Sequence, residues 1–117
     1  MWQRSTNLVA AVYRLTQTFP KEELYGLTNQ LRRAAVSVSS NIAEGQGRTS
    51  SKEFAHFLGQ ARGSLLELET QLVIAVKLGY VDSRKVDELL KESGAVHGML
   101  NRLMDFLRQP ASPRKTA

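Results

Sequence analysis

Apolar residues recur every three or four positions along most of the chain, which is the spacing of one helix face. The first such stripe comprises Leu8, Val12, Leu15 and Phe19. Pro20 follows directly, and proline is best tolerated at the first position of a helix. The pattern therefore predicts a first helix that ends before Pro20 and a second that begins there.

The second stripe is longer and ends at two glycines. Its apolar positions are Leu24, Leu27, Leu31, Ala34, Val38 and Ile42. Gly45 and Gly47 follow, and glycine can adopt the left-handed conformation that closes a helix. Beyond them, Ser50 and Glu53 have the spacing of a capping box, in which the serine hydroxyl accepts from the glutamate amide and the glutamate carboxylate reaches back to the serine. A third helix is therefore expected to begin near Ser50.

The third stripe is the most regular, because its steps of four and three continue without a break. Its members are Phe54, Leu58, Ala61, Leu65, Leu68, Leu72, Ala75 and Gly79. After this stripe, Asp82 is the expected N-cap of a fourth helix. The stripe of that helix comprises Val86, Leu90, Ser93, Val96, Leu100, Leu103 and Leu107.

These stripes predict an all-α protein. No segment alternates convincingly with a period of two, so strands are not expected. Short connections force each helix to run antiparallel to the one before it. The prediction is an antiparallel up-down-up-down four-helix bundle over residues 1–108. Residues 109–117 contain two prolines and two cations and are expected to form a disordered basic tail.

Several apolar residues of the third helix lie off its stripe. They are Phe57, Leu66, Val73, Ile74 and Val76. Either longer side chains of the same chain cover them, or another subunit does. The second explanation is favoured, because each helix of a four-helix bundle normally keeps one face in water. The pattern thus predicts a homo-oligomer.

Composition argues against most catalytic sites. The chain of 117 residues has no cysteine and two histidines, which disfavours disulfides, thiolate metal sites and cysteine nucleophiles. Glu53 and His56 form one Glu-x-x-His motif of the di-iron type, but such a site needs two. There is no nucleophile elbow and no phosphate-binding loop. We therefore expect a protein that is not an enzyme and that uses no cofactor or metal.

The hydropathy of the chain indicates in which cellular compartment the protein is expected. No apolar run approaches the length needed to span a bilayer, and the first residues lack the apolar core of a signal peptide. A cytoplasmic location without a membrane partner is the resulting expectation.

Charged residues fall in the middle of two predicted helices. Arg32 and Arg33 lie in the second helix, and Glu67 and Glu69 in the third. Antiparallel packing brings these midpoints to the same height. We expect a structural ion pair there, Arg32 with Glu67 in first place, within one chain or between subunits. Paired carboxylates acting as acid and base are a less favoured alternative, because no histidine or metal motif accompanies them.

The net charge of +5 is placed unevenly. In an up-down bundle, one end gathers the start of the first helix, the connection between the second and third, and the end of the fourth. The cations of this basic end are Arg4, Arg48, Lys52, Arg102, Arg108, Arg114 and Lys115. They suit phosphate contacts, and a solvated surface without a partner is the alternative. Stacking of single-stranded bases is not expected, because the nearby phenylalanines are assigned to the core.

Two segments of the chain resemble a known family. They are residues 24–45, which run from Leu24-Tyr25-Gly26-Leu27 to Ala43-Glu44-Gly45, and residues 64–72. Here the chain resembles the bacterial 23S rRNA intervening-sequence proteins, also called S23-type ribosomal proteins, over roughly residues 5–108. The resemblance implies a four-helix bundle that assembles as a homopentamer. It also extends to accessory proteins of diversity-generating retroelements, which bind nucleic acid and a reverse transcriptase.

The resemblance assigns no catalytic role to the matched residues. Asn41, Glu44 and Gly45 lie close to the chain reversal after the second helix. They are candidates for shaping this loop or the assembly, with Asn41 and Glu44 bonding the backbone of the reversal or a neighbouring subunit.

The leading hypothesis is a non-enzymatic, ring-forming bundle that associates with RNA or DNA through basic surface residues. The alternative is a protein–protein interaction scaffold without nucleic-acid binding. The two differ in their response to salt, because phosphate-driven binding weakens steeply as salt rises and an apolar interface barely responds.

Overall fold

The computed structural model describes residues 1–109 as four α-helices joined by short connections. The helices are α1 (Trp2–Thr16), α2 (Leu27–Gln46), α3 (Ser51–Lys77) and α4 (Ser83–Arg108), with a short 3-10 helix at Lys21–Glu23. No strand occurs in this part of the chain, and the predicted all-α bundle is confirmed. The predicted tail, residues 109–117, lies outside the described residues apart from Gln109.

The helices occupy the corners of a square. Both α1 and α3 pack against α2 and α4, and within residues 1–109 neither diagonal pair is in contact. Two contacts show that α1 and α2 are antiparallel. Near the start of α1 the hydroxyl oxygens of Ser5 and Ser39 lie 2.9 Å apart, and at its end Arg32 donates to the hydroxyl of Thr16.

The core forms where the apolar stripes meet. The predicted α1 stripe is fully buried, and so is the α3 stripe from Leu58 to Ala75. The α4 stripe is partly wrong, because Leu89 and Met104 are buried where Leu90 and Leu103 were expected. Both pairs are adjacent apolar residues, and periodicity alone does not decide which member faces the centre.

The N-termini of α3 and α4 are capped by the predicted residues, although within residues 1–109 the Glu53 carboxylate does not bond back to Ser50. Ser50 accepts a hydrogen bond from the Glu53 amide at 3.1 Å, and the Asp82 carboxylate accepts from the Arg84 amide at 2.9 Å. Each cap satisfies a backbone donor that has no partner inside its own helix. The two helices therefore begin where local side-chain chemistry places their first turn.

The start of α2 differs from the prediction. Pro20 precedes only the short 3-10 helix, and α2 begins at Leu27, whose amide donates to the Glu23 carboxylate at 3.0 Å. The Tyr80 hydroxyl donates to the other oxygen of this carboxylate at 2.8 Å. The Tyr80 ring packs against the ring of Phe19. Glu23 thus caps α2 and also ties the α3–α4 connection to the α1–α2 connection.

The helix α2 ends at Gln46, within the predicted glycine segment. Gly47 closes the helix with right-handed backbone angles, where left-handed angles were expected. A Cβ atom at Gly45 would lie 2.8 Å from the ring of Phe54 and 3.1 Å from Cβ of Phe57. Gly45 is therefore needed for the close approach of α2 to α3, rather than for a turn.

A matched pair of glycine substitutions tests this close approach. Gly45→Ala should lower the free energy of unfolding by about 1–3 kcal/mol, because the methyl group overlaps Phe54. Gly94→Ala should raise it by about 0.5–1 kcal/mol, because nothing lies within 4 Å of a Cβ at that helical position. Urea denaturation measures both, and a Gly45→Ala protein as stable as Gly94→Ala would contradict the packing.

The Glu23 contacts predict a pH dependence. The hydrogen bond from the Leu27 amide, and after it the one from the Tyr80 hydroxyl, hold the pKa of Glu23 below its usual value. Such a carboxylate stabilises the fold above its unfolded pKa, and this stabilisation is lost as the pH falls through the folded value. Tyr80→Phe removes the hydroxyl that donates to Glu23, so the pKa of Glu23 should rise. The loss of folding stability at low pH should then be smaller than in the wild type.

An NMR titration of the Glu23 carboxyl carbon measures this shift. Tyr25→Phe is the control, because the Tyr25 ring is 91% exposed and should not influence Glu23. A Glu23 pKa that is the same in the wild type and in Tyr80→Phe would show that the hydrogen bond has no role in solution.

Candidate nucleic-acid interface

Lys52 and Arg108 lie together at the basic end, where α3 begins and α4 ends. With His56 they line an open cavity of about 560 Å³. Both cations are exposed, and within residues 1–109 neither forms a salt bridge. This pair is therefore available to an anionic partner.

Arg48 lies beside the same end but already has partners. Its guanidinium is 2.9 Å from the Glu44 carboxylate and stacks over the Phe57 ring at 4.7 Å. Within residues 1–109 Glu44 thus pairs with the Arg48 side chain, four residues on, rather than with the backbone of the reversal. Its contact with a neighbouring subunit stays a prediction. Exposed pairs of this kind contribute little stability, so Arg48 can exchange Glu44 for a phosphate at small cost.

The remaining predicted cations do not join this cluster. The Arg4 guanidinium is 3.3 Å from Glu92, in the middle of α4, and Arg102 is exposed further along that helix. Arg114 and Lys115 lie outside the described residues. The structure therefore brings together Lys52 and Arg108, with Arg48 alongside, and leaves the other predicted residues apart.

One aromatic side chain at this end is exposed where a core position was expected. Phe106 is 67% exposed, so its assignment to the core is wrong. Phe106 follows the buried Met104 by two positions and falls on the outer side of α4. The signal was present in the sequence, since Phe106 does not fit the spacing of the α4 stripe.

The expected pair of Arg32 with Glu67 is not formed within one chain. Arg32 donates from Nε to the Thr16 hydroxyl at 2.8 Å, and its guanidinium stacks over the Tyr13 ring at 4.6 Å. Its side chain therefore turns toward α1, whereas Glu67 is exposed on α3. A contact of either arginine with Glu67 between subunits stays a prediction.

The other mid-helix charges face different surroundings. Glu69 accepts from the Ser93 hydroxyl of α4, and Glu67 accepts from the Gln71 amide one turn along its own helix. Arg33 is exposed and has no hydrogen-bond partner within residues 1–109. The two glutamates thus have separate roles and do not form an acid–base pair.

Asn41 contributes to the contact between α2 and α3. Its side-chain amide donates to the Ser37 carbonyl at 2.9 Å and to the Ser37 hydroxyl at 3.1 Å. That hydroxyl lies 2.8 Å from the hydroxyl of Ser64 on α3. Within the chain, Asn41 therefore orients an interhelical hydrogen bond and does not bond the backbone of the reversal.

An open groove on the outer side of α2 was not predicted from the sequence. This α2 groove has a volume of about 570 Å³. Its lining residues are Tyr13, Leu24, Tyr25, Asn29, Arg32, Arg33, Val36 and Ser37. Leu24 was expected in the core but precedes α2 and is 47% exposed. Val36 was the available signal, since it lies off the α2 stripe.

Among residues 1–109, no three histidine, aspartate or glutamate side chains lie close enough together to hold a metal ion. None of the helices in this part of the chain combines the length and hydropathy of a membrane span.

Comparisons with known proteins agree on one family. A family model described as 23S rRNA-intervening sequence protein matches residues 1–102. No curated protein matches the chain. The fold is similar to that of a crystal structure from Bacteroides thetaiotaomicron, a protein of unknown function from the S23 ribosomal protein family. The TM-score is 0.77, the sequence identity is 16%, and the match covers 92% of this chain and 98% of that one. At this identity the likeness shows the fold.

Replacing Arg32 tests its contacts with α1. Arg32→Ala should lower the free energy of unfolding by about 1–3 kcal/mol, because it removes the hydrogen bond to Thr16 and the stacking on Tyr13. Arg14→Ala, an exposed position on α1, should change it by less than about 0.5 kcal/mol. Thermal denaturation measures both, and equal melting temperatures for the two variants would refute a stabilising role.

Proposed function

The chain belongs to the family of 23S rRNA-intervening sequence proteins, and we propose that it is a non-enzymatic, self-associating bundle that binds RNA or DNA through its basic end. The observation that carries this proposal is the pair of exposed cations, Lys52 and Arg108, that line one open cavity without a carboxylate partner in the described chain. Such cations bind phosphates without reading base sequence.

The local field at this cavity favours an anion. Lys52 lies in the first turn of α3, and the N-terminus of a helix carries a partial positive charge. Arg108 comes from the last turn of α4, whose C-terminus carries the opposite partial charge. The full charges of Lys52 and Arg108 therefore decide the sign of the field. Arg48 extends the positive surface toward the α2–α3 connection.

Self-association increases the number of phosphate contacts. One subunit offers few exposed cations at this end, whereas a ring whose basic ends point the same way presents several sets to one nucleic acid. The off-stripe residues of α3 support such an assembly, because Leu66, Val73 and Ile74 remain exposed in the single chain. Side chains of the same chain therefore do not cover them.

A protein–protein scaffold is the second candidate. Phe106 favours it, because a large exposed aromatic ring near the end of α4 is typical of contacts between proteins. Such contacts are mainly apolar and respond little to salt, which separates this candidate from phosphate binding.

Charge reversal at the cavity tests nucleic-acid binding. The double variant Lys52→Glu, Arg108→Glu should weaken binding to structured RNA, single strands or duplex DNA. It should also reduce the slope of log K against log salt by about two, because each lost phosphate contact removes about one unit. Filter binding between about 50 and 200 mM salt measures both quantities.

The matched control reverses two cations at the opposite end. Arg84 and Lys85 are exposed near the start of α4, and Arg84→Glu, Lys85→Glu should leave the salt slope unchanged. Equal binding by the two double variants would refute the basic end as the interface. No binding by the wild type would refute nucleic-acid association itself.

A further inference from the structure

We propose that the α2 groove binds the outer face of α3 from a second copy of this chain, so that Arg33 of one copy pairs with Glu67 of the next. This inference rests on the self-association in the proposed function and deepens it by naming the two surfaces. They are different surfaces of the molecule, and the contact is therefore head-to-tail.

The residues that line the α2 groove favour a binding partner whose surface is both apolar and acidic. Its walls include the exposed side chains of Leu24, Tyr25 and Val36. Between them lie Arg32 and Arg33, neither of which forms a salt bridge within residues 1–109. An apolar surface that carries a carboxylate near its middle matches this arrangement.

The outer face of α3 is such a surface. Leu66 is 47% exposed, and Ile74 and Leu78 continue the apolar surface toward the end of the helix and the residue after it. Glu67 supplies the carboxylate, and the amide of the buried Gln71 holds it in place with a hydrogen bond of 3.2 Å. No arginine or lysine within residues 1–109 pairs with Glu67.

The α2 groove and the outer face of α3 lie at the same height along the axis of the bundle. The hydroxyl contact between Ser37 and Ser64 places these two residues level on antiparallel helices. Arg33 is four residues before Ser37, and Glu67 is three residues after Ser64. At a rise of about 1.5 Å per residue, Arg33 and Glu67 differ in height by only about 1.5 Å.

Apolar residues of the two surfaces also lie at matching heights. Val36 comes one residue before Ser37 and Leu66 two residues after Ser64, so they also lie within about 1.5 Å in height. When one copy is rotated onto the next about a ring axis parallel to the helices, the position of each residue along that axis does not change. Residues that are level within one copy are therefore level between neighbouring copies of a ring.

The positions of the two surfaces favour ring closure. The α2 groove and the outer face of α3 lie at adjacent corners of the four-helix square. Each copy is therefore turned relative to the one before it, and turns that sum to a full circle without a shift along the axis close a ring. Surfaces on opposite sides of the molecule would instead extend a filament.

Residues 110–117 of the chain are a poorer occupant of the groove. They carry Arg114 and Lys115 and no acidic side chain, so their charge has the same sign as that of Arg32 and Arg33. A second copy offers both the carboxylate and the apolar residues at matching heights.

Cross-linking tests the surfaces directly, because the natural chain contains no cysteine. Val36→Cys and Leu66→Cys variants, distinguishable by mass, are unfolded together, refolded and treated with a short bis-maleimide. The expected product joins position 36 of one variant to position 66 of the other. A predominance of 36–36 or 66–66 products, or no cross-link at all, would overturn the proposal.

Charge reversal provides a second test. Arg33→Glu and Glu67→Arg should each raise the dissociation constant of the assembly by about tenfold or more, because like charges then meet. The double variant should recover most of the loss. Glu88→Arg, at an exposed position of α4, should have no effect. Sedimentation measures the assembly, and circular dichroism confirms that each variant is folded.

The outcomes separate this inference from the proposed function. A wild-type protein that is monomeric at every concentration refutes both the interface and the self-association. A wild-type assembly that is insensitive to both reversals refutes this interface and leaves self-association standing. Nucleic-acid binding by the monomeric variants, measured by filter binding, reports separately on the basic end.

Discussion

The antiparallel register of α2 against α3 fixes the relative positions of the basic end, the α2 groove and the outer face of α3. At one end Gly45 lets the α2 backbone approach Phe54, and further along the hydroxyls of Ser37 and Ser64 meet at 2.8 Å. Both contacts are short and tolerate little sliding. They set the height of Arg33 relative to Glu67, and they place the start of α3 at the end of the bundle.

Within residues 1–109 hydroxyl groups connect the helices in the interior, and the ion pair between helices, Arg4 with Glu92, is exposed. The Ser5–Ser39 and Ser37–Ser64 contacts join α1 to α2 and α2 to α3. A buried hydroxyl pair loses much less hydration energy than a buried ion pair. The arrangement leaves Arg33 and Glu67 on the outside, where they are free to contact another molecule.

Sequence periodicity predicted the parts of the fold that depend on local chemistry. The α1 and α3 stripes and the two N-caps, Ser50 and Asp82, follow from residues close together in the chain. Periodicity failed for the start of α2, because the carboxylate that caps Leu27 belongs to Glu23, and Tyr80 holds that carboxylate from 57 residues away.

The direction of Arg32 shows a different limit of sequence reasoning. Four antiparallel helices can be arranged around a square in a left-turning or a right-turning order, and the two orders exchange the sides of α2 that face α1 and α3. The spacing of apolar residues is the same in both. The stacking of Arg32 on Tyr13 instead of a contact with α3 depends on this choice, which only the three-dimensional structure reveals.

The basic end and the α2 groove are separate surfaces, and this separation has a consequence for function. Lys52 and Arg108 lie at the end of the bundle, whereas Arg33 lies midway along α2. A ring that uses Arg33 and Glu67 for assembly therefore leaves the terminal cations open. Each added copy brings another Lys52–Arg108 pair to the same side of the ring. Affinity for a polyanion then grows with the number of copies, without any change in the single site.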